Sequence, residues 1–338
     1  METSVRITVP ARQQTGTLLL LRPRGFCAGV IRAIDIVRLA LEKLGPPVYV
    51  RKEIVHNRLV VDELAAQGAV FVETLEEVPP QSAVVFSAHG VSPQVRQEAR
   101  QRGLQVIDAT CPLVTKVHLE VIRYARERYT IILIGHRDHD EVIGTLGEAP
   151  ESIRLISSVE DVDSLEIPNP ERLVYLTQTT LSLDDTAEIV SRLRARFPGV
   201  IGPPVQDICY ATQNRQMAVK AIVPITDAIL VVGAKNSSNS NRLAEVARRG
   251  ATEAYLISEA ADIQPEWVHG RKRIGITAGA STPEILVQQV VDRLKGWEFT
   301  DVEEVEWIEE DVRFALPPEL KGESNQERTI ERKHGTRG

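Results

Sequence analysis

Several kinds of residue and segment are scarce in this sequence, and each scarcity excludes some classes of protein. Three cysteines among 338 residues are an odd, small number that does not suit a disulfide framework. The apolar runs are far shorter than the roughly 20 residues that span a bilayer. There is no run of Lys and Arg, and the formal net charge is −7. Because nucleic-acid binders neutralise phosphates, we expect neither a nucleic-acid nor a membrane partner.

Nucleotide-binding and export signals are also missing. The sequence has no Walker-type loop and no G-x-G-x-x-G segment, so a nucleotide cofactor is not indicated. The opening METSVRITVPARQQTG has no apolar core of the signal-peptide kind. We therefore expect a cytoplasmic protein. Its 43% hydrophobic and 26% charged residues are ordinary for a globular chain of two or three domains.

The three cysteines occupy similar local contexts. Cys27, Cys111 and Cys209 lie 84 and 98 residues apart, each after a strand-like run and before a helix-like one. A helix N-terminus favours a thiolate through its free N–H groups and its dipole. The alternative is three buried structural thiols, since free cysteine is among the most buried residue types. The shared context favours three thiolates brought to one centre.

Two more strand-like runs follow each cysteine at similar distances. At 28 or 29 residues, and again at 62 to 72, the runs end in His56, His89, His139, Thr179, Ser237 and Ser281. Ligands of parallel α/β sheets bind outside the carboxyl ends of the strands. The pattern predicts an α/β fold of three similar small domains with mainly parallel sheets, in a pseudo-three-fold arrangement around a central site.

Helical periodicity and turn residues give the expected divisions of the chain. Helices are predicted over Val30–Leu44, Gln94–Arg102 and Asp184–Phe197, with Gly45, Gly103 and Pro198-Gly199 as stops. We expect an N-terminal tail and strand at 1–27, α/β domains at 28–111, 112–208 and 209–296, and a C-terminal tail at 297–338, first extended and then disordered.

Three polar segments are candidates for function. Residues 135–141, Gly-His-Arg-Asp-His-Asp-Glu, could ligate a metal, catalyse proton transfer or form a solvated loop. Residues 236–241, Asn-Ser-Ser-Asn-Ser-Asn, could bind phosphate oxygens or only cap a helix. Ser281 taken alone is interpreted as a helix cap. Together with three thiolates, these segments describe a site for a small phosphorylated substrate.

The identity of the bound group stays open on chemistry alone. Thiolates suit zinc as well as an iron–sulfur cluster, and three ligands leave one position open. A zinc-dependent hydrolase and a non-catalytic iron–sulfur sensor are therefore alternatives to a reductase. Acid-labile sulfide would exclude the hydrolase, and tight binding of a small diphosphate would disfavour the sensor.

A run of ordered motifs resembles the 4-hydroxy-3-methylbut-2-enyl diphosphate reductase family, from about Leu20 to Leu320. The motifs are GFCAGV, VHN, SAHGV, DATCPLV, the GH…H-x-E-V-x-GT loop, TQTTLS, ICYATQNRQ, GAKNSSNSNRL and TAGAS. The resemblance implies three α/β domains around a central pocket that holds an oxygen-sensitive 4Fe–4S cluster. It implies Cys27, Cys111 and Cys209 as ligands, with one iron free of protein ligands.

The resemblance also implies the reaction and the residues that perform it. The reaction is reductive dehydroxylation of the diphosphate to isopentenyl and dimethylallyl diphosphates, with two electrons from a donor such as ferredoxin or flavodoxin. Catalytic roles fall to Glu141, which delivers a proton, to Thr179, which hydrogen-bonds the substrate hydroxyl, and to His139. The implied substrate-binding residues are His56, His89, His139, Thr179, Ser237, Ser238, Asn239 and Ser281. Gln178 and Asn236 are supporting candidates.

One loop departs from the commoner form of the family. The usual Gly-His-x-Gly-His-Pro-Glu has Asp138 in place of Gly and Asp140 in place of Pro. The loss of Gly predicts a backbone that does not need a positive φ at residue 138. Asp140 is expected to raise the pKa of Glu141 if the two carboxylates lie close together.

Overall fold

The structure is a computed structural model that describes residues 16–320, where strands and helices alternate along the chain. Residues 1–15 of the predicted N-terminal tail and residues 321–338 of the predicted C-terminal tail lie outside the described residues. The strands are β1 (Gly16–Arg22), β2 (Val48–Arg51), β3 (Ala69–Val72), β4 (Ala83–Phe86), β5 (Gln105–Asp108), β6 (Thr130–Ile134), β7 (Ile153–Ile156), β8 (Leu173–Thr177), β9 (Ala228–Val232), β10 (Glu253–Ile257), β11 (Arg273–Ala278) and β12 (Phe299–Glu306). The helices are α1 (Ala28–Leu44), α2 (Arg58–Ala66), α3 (Pro93–Gln101), α4 (Pro112–Arg126), α5 (Asp140–Leu146), α6 (Val159–Ser164), α7 (Leu183–Arg196), α8 (Tyr210–Ile222), α9 (Ser238–Arg249) and α10 (Glu284–Lys295).

These strands form three separate parallel sheets, which confirms the predicted fold class. One sheet has the order β3-β2-β4-β5, the second β7-β6-β8, and the third β10-β9-β11-β1-β12. Every strand pair within the described residues is parallel. Parallel strands bring their carboxyl ends to one edge, so each sheet presents its polar loops on one side.

Helix limits follow the periodic pattern closely. The predicted helices correspond to α1, α3 and α7, with ends within two residues of the prediction. Gly45 ends α1 with a φ of 72°, a left-handed conformation that glycine adopts without strain. The interpretation of Ser281 as a helix cap is wrong, because α10 begins at Glu284 with Pro283 as its N-cap.

The first and last strands of the described chain meet in one sheet. β1 pairs with β11 on one side and with β12 on the other, so residues 299–306 are extended, as predicted, and lie in a sheet. This long-range parallel pairing has no local signature in the sequence. The division at 28–111, 112–208 and 209–296 is kept as a proposal, with β1 and β12 added to the sheet of the third domain.

Helices cover both faces of each sheet. In the third sheet, Leu230 and its neighbours pack against α10 on one face, while Val231 and its neighbours pack against α8 and α9 on the other. Strands buried on both faces explain the continuous apolar runs of the sequence. Among residues 16–320, no helix combines the length and the apolar character that crossing a membrane requires.

Candidate active site

One central cavity, of about 100 Å³, brings together every site residue predicted from the sequence. The predicted residues in its lining are Cys27, His56, His89, Cys111, His139, Glu141, Thr179, Cys209, Ser237, Ser238, Asn239 and Ser281. They come from loops that follow strands of all three sheets. The three-fold repeat of the sequence therefore corresponds to a single shared site.

Each cysteine is the N-cap of a helix of 13 or more residues: α1, α4 or α8. The cysteine amides also bond to the loops that follow β11, β4 and β8. The donor–acceptor pairs are Cys27 N to Ala280 O (3.2 Å), Cys111 N to Ala88 O (3.0 Å) and Cys209 N to Thr179 O (3.0 Å). The backbone thus fixes the three thiol positions in the same way.

The thiols suit a cationic group that prefers soft ligands. Burial raises the pKa of Cys111 to about 12 and that of Cys209 to about 11, and the charge of Cys27 adds to both. Three thiolates in one cavity therefore need a cationic partner. Within residues 16–320, no three His, Cys, Asp or Glu side chains meet as ligands of a single ion would. Soft thiolates gathered in one cavity fit an iron–sulfur cluster by their chemistry.

Gly29 keeps the space between two of the thiols open. A Cβ atom at this position would lie 2.8 Å from the Cys111 sulfur and 3.9 Å from the Cys27 sulfur. We expect Gly29→Ala to displace Cys111, to cost about 1–3 kcal/mol in the free energy of unfolding, and to lower the iron content of anaerobically purified protein.

Gly199→Ala is the matched control, because its new Cβ would have no neighbour closer than 4.0 Å. Metal analysis and thermal unfolding of both variants provide the comparison. An iron content in Gly29→Ala equal to that of the control would contradict the close approach of the thiols.

Three imidazoles form a cluster in the cavity. The ring centroids of His56 and His89 are 4.2 Å apart, and each is 5.7 Å from the ring centroid of His139. Glu53 accepts a hydrogen bond from Nδ1 of His56 at 3.0 Å. His139 caps α5, and its Nδ1 accepts from the Glu141 amide at 3.2 Å. These bonds fix two of the three rings.

Two of the three imidazoles, those of His89 and His139, are neutral near pH 7 in the free protein. Burial lowers the pKa of His89 well below its ordinary value, and it lowers that of His139 to about 4. The charge of His56 lowers both further. An anion placed among the rings would reverse these shifts, since a nearby opposite charge favours the protonated imidazole.

Glu141 is buried, with 3% of its surface exposed, and contacts Thr179 through both carboxyl oxygens. Oε1 accepts from the Thr179 amide at 2.6 Å and Oε2 from the Thr179 hydroxyl at 2.9 Å. Burial raises the pKa of Glu141 to about 7, against the lowering effect of the Thr179 bonds. A carboxyl group with this pKa can donate a proton at neutral pH.

Of the two unusual aspartates of the loop, Asp140 contacts a lysine on another loop and Asp138 is exposed. Asp140 faces Lys52, with 3.7 Å between Oδ1 and Nζ, and Lys52 also contacts Glu73 at 2.9 Å. Asp207, not Asp140, is the carboxylate that adds to the raised pKa of Glu141, so that expectation is wrong. Asp138 has no positive φ, which confirms that the loop does not need glycine there.

The polar segment at 236–241 both caps a helix and lines the cavity. Ser237 caps α9 by accepting from the Ser240 amide at 3.3 Å. Ser238 donates to the Thr180 carbonyl, and Asn239 accepts from the Ala280 amide at 3.0 Å. Ser237 thus caps the helix, while hydrogen bonds hold Ser238 and Asn239 in the cavity wall.

Ser281, Gln178 and Asn236 form hydrogen bonds to residues in or beside this wall. Ser281 donates to the His56 carbonyl at 3.0 Å. Gln178 donates to Thr180, and Asn236 donates to the Glu53 carboxylate at 3.0 Å.

Some residues of the site were not found by sequence reasoning. Thr212 lines the cavity, 3.2 Å from both the Cys209 sulfur and the Asn239 amide nitrogen. Glu53 orients His56, and Thr180 joins Gln178 to Ser238. For Glu53, a carboxylate three residues before His56 was a usable signal in the sequence. The threonines are ordinary polar residues whose role depends on distant contacts.

A sequence model of the family described as LytB protein matches residues 18–295. The chain belongs to the LytB family. Among curated proteins, a 4-hydroxy-3-methylbut-2-enyl diphosphate reductase of Azoarcus sp. (strain BH72) is 56% identical over 304 residues, which are 90% of this chain and 97% of that protein. The protein of the same name from Methylococcus capsulatus is 57% identical over 307 residues, 90% and 98% of the two chains.

Solved structures also resemble this LytB chain. The E-1-hydroxy-2-methyl-but-2-enyl-4-diphosphate reductase of Plasmodium falciparum has a TM-score of 0.88 and 40% identity, covering 94% of this chain and 99% of its own. A structure described as (E)-4-hydroxy-3-methyl-but-2-enyl diphosphate reductase, the terminal enzyme of the non-mevalonate pathway, has a TM-score of 0.59 and 35% identity. It covers 83% of this chain and 99% of its own.

Proposed function

We propose that the chain is a cytoplasmic 4-hydroxy-3-methylbut-2-enyl diphosphate reductase. The observation that carries the proposal is one cavity that combines three thiols, a buried protonatable carboxyl group and a cluster of imidazoles. The reaction breaks the allylic C–O bond and consumes two electrons and two protons. Water leaves, a new C–H bond forms, and the products are isopentenyl and dimethylallyl diphosphates.

Cys27, Cys111 and Cys209 would hold a 4Fe–4S cluster as thiolates. When bound, the cluster supplies one-electron transfer and one iron without a protein ligand. The protein contributes the fixed positions of the three sulfurs, set by helix starts and by backbone bonds. The electrons would come from a small carrier such as ferredoxin or flavodoxin.

Glu141 and Thr179 would handle the proton that leaves with the hydroxyl group. The Thr179 hydroxyl donates to the Glu141 carboxylate in the free protein. With Glu141 protonated, the same pair can pass a proton toward the substrate, because a hydroxyl both donates and accepts. Burial keeps this proton on Glu141 up to about pH 7.

The imidazoles and the α9 start would bind the diphosphate. Ser237, Ser238 and Asn239 place hydroxyl and amide groups at the start of α9, where the first N–H groups have no carbonyl partner within the helix, which suits phosphate oxygens. His56, His89 and His139 can add positive charge once the anion is present. Binding at these residues would position the allylic hydroxyl near Thr179 and the thiols.

An anaerobic turnover assay tests the proposal. Freshly purified protein is mixed with the hydroxylated diphosphate and a reduced viologen dye, and dye oxidation and products are followed. Formation of both five-carbon diphosphates with dye oxidation supports the reaction. Absence of turnover by protein that carries a full cluster would exclude this substrate and favour a sensor or another reductase.

Binding of inorganic diphosphate should take up protons at pH 7. His89 and His139 are neutral in the free protein, and the anion raises their pKa toward protonation. Calorimetry in two buffers of different ionisation enthalpy should give different observed heats, and affinity should rise as pH falls from 8 to 6. Equal heats in both buffers would contradict the protonation of His89 and His139 on binding.

A further inference from the structure

We propose that Arg32, Lys116 and Arg215 form a ring of cations that fixes the spacing of the three cysteines. The inference rests on the proposed function only in assigning the thiols to a cluster. The three residues are positioning residues, since each acts through the backbone or side chain of a cysteine loop. The ring is defined as these three side chains.

The three cations occupy similar sequence positions. Arg32 and Lys116 come five residues after Cys27 and Cys111, and Arg215 comes six residues after Cys209. Each therefore lies in the second turn of the helix that its cysteine caps. This regularity extends the three-fold repeat to charged residues that the substrate would not touch.

Each cation reaches the loop just before the next cysteine. Arg32 donates from Nη1 to the carbonyls of Ala109 (3.3 Å) and Thr110 (3.0 Å), directly before Cys111. Because Cys27 caps the helix that carries Arg32, these bonds connect the helix after the first cysteine to the loop before the second.

The other two cations continue the same pattern. Lys116 Nζ is 2.7 Å from the Asp207 carboxylate and 2.5 Å from the Val205 carbonyl, just before Cys209. Arg215 Nη2 donates to the Gly25 carbonyl at 2.8 Å, two residues before Cys27. The three cations thus span the three edges of the triangle that the cysteines form.

Burial makes these contacts costly to remove. Arg215 is 1% exposed, and its Nη1 lies 3.0 Å from the Glu310 carboxylate. The Asp207 side chain is fully buried against Lys116. Loss of one partner from such a pair leaves an uncompensated buried charge. A loop that holds a metal-binding thiolate would then gain freedom, and bound iron would be released faster.

Arg32 also brings positive charge close to one thiolate, that of Cys111. Burial lowers the pKa of Arg32, and the nearby Cys111 thiolate acts in the opposite direction. Two ring members hold the C-terminal segment as well, since Arg32 Nε donates to the Ala315 carbonyl at 2.7 Å and Arg215 pairs with Glu310. Two members of the ring therefore hold the C-terminal segment as well as a cysteine loop.

Removal of Arg32 provides the sharpest test. In anaerobic holoprotein, Arg32→Met should shorten the half-life of iron transfer to a chelator by about 10–100-fold, the usual effect of losing a group that supports a metal ligand. Hydrogen exchange at residues 109–111 should quicken severalfold. Arg32→Lys should recover part of both effects, because an ammonium can still donate to one carbonyl.

Arg38→Met is the matched control, on the same helix, because its side chain is 49% exposed and pairs with the exposed Glu63. If Arg32→Met does not fold, Lys116→Met tests the contact with the loop before Cys209 instead. The exposed Arg123→Met on the same helix is its control. Wild-type iron release and wild-type exchange in folded Arg32→Met or Lys116→Met would overturn the ring. Wild-type protein that contains no iron and no sulfide would instead refute the proposed function. Hydrogen exchange at residues 109–111 would then be the measurement that tests the ring.

Discussion

Replacement of Glu141 by glutamine should lower kcat by about 10²–10⁴-fold while the iron content stays at the wild-type level. Glutamine keeps the shape of the side chain and can still form hydrogen bonds with Thr179, but its amide has no acidic proton to transfer to the substrate. The cysteines are untouched, so cluster binding should not change. An anaerobic kcat and an iron assay on the same preparation measure both properties.

The pH profile distinguishes proton donation from a loss of shape. Glu141 must be protonated to act, so wild-type kcat should fall as pH rises through about 7, the raised pKa of this buried carboxyl. Glu141→Gln should lose this alkaline limb. Asp138→Asn, in the exposed part of the same loop, should keep both kcat and the limb. Full turnover by Glu141→Gln would exclude Glu141 as the proton source.

Replacement of Cys209 by serine should abolish iron binding and turnover together. A serine oxygen is a poor ligand for the soft metals that thiolates select. Loss of a direct ligand should exceed the 10–100-fold effect of losing a supporting partner. Iron per chain, acid-labile sulfide and kcat should fall in parallel, and Cys27→Ser and Cys111→Ser should behave alike.

The exposed Gln206→Ser, three residues earlier in the same loop, is the control for Cys209→Ser. It should retain wild-type iron and kcat, because its side chain lies outside the cavity lining. A Cys209→Ser protein with full activity would refute the three-thiolate site. A decline of kcat without loss of iron would assign Cys209 to another role.

Local patterns were sufficient to predict much of this molecule. The step of apolar residues between Val30 and Leu44 predicted α1, because one helix face must be buried. Three cysteines in repeated contexts predicted a shared centre, and all three line one cavity. Parallel sheets bring strand ends to one edge, so equivalent positions in three repeats converge.

Other features depend on contacts between distant residues. The pairing of β1 with β12 joins segments about 280 residues apart, and no periodicity encodes it. Asp140 was expected to act on Glu141, but Lys52 on another loop holds it, and Asp207 has the expected electrostatic effect instead. Charge positions along a sequence do not reveal which charges meet in space.

The amounts of iron and acid-labile sulfide in anaerobically purified wild-type protein test the central claim most directly. We expect both in the amounts of one 4Fe–4S cluster per chain, held by Cys27, Cys111 and Cys209. Zinc without sulfide would contradict this site and favour a hydrolase that uses the same thiols.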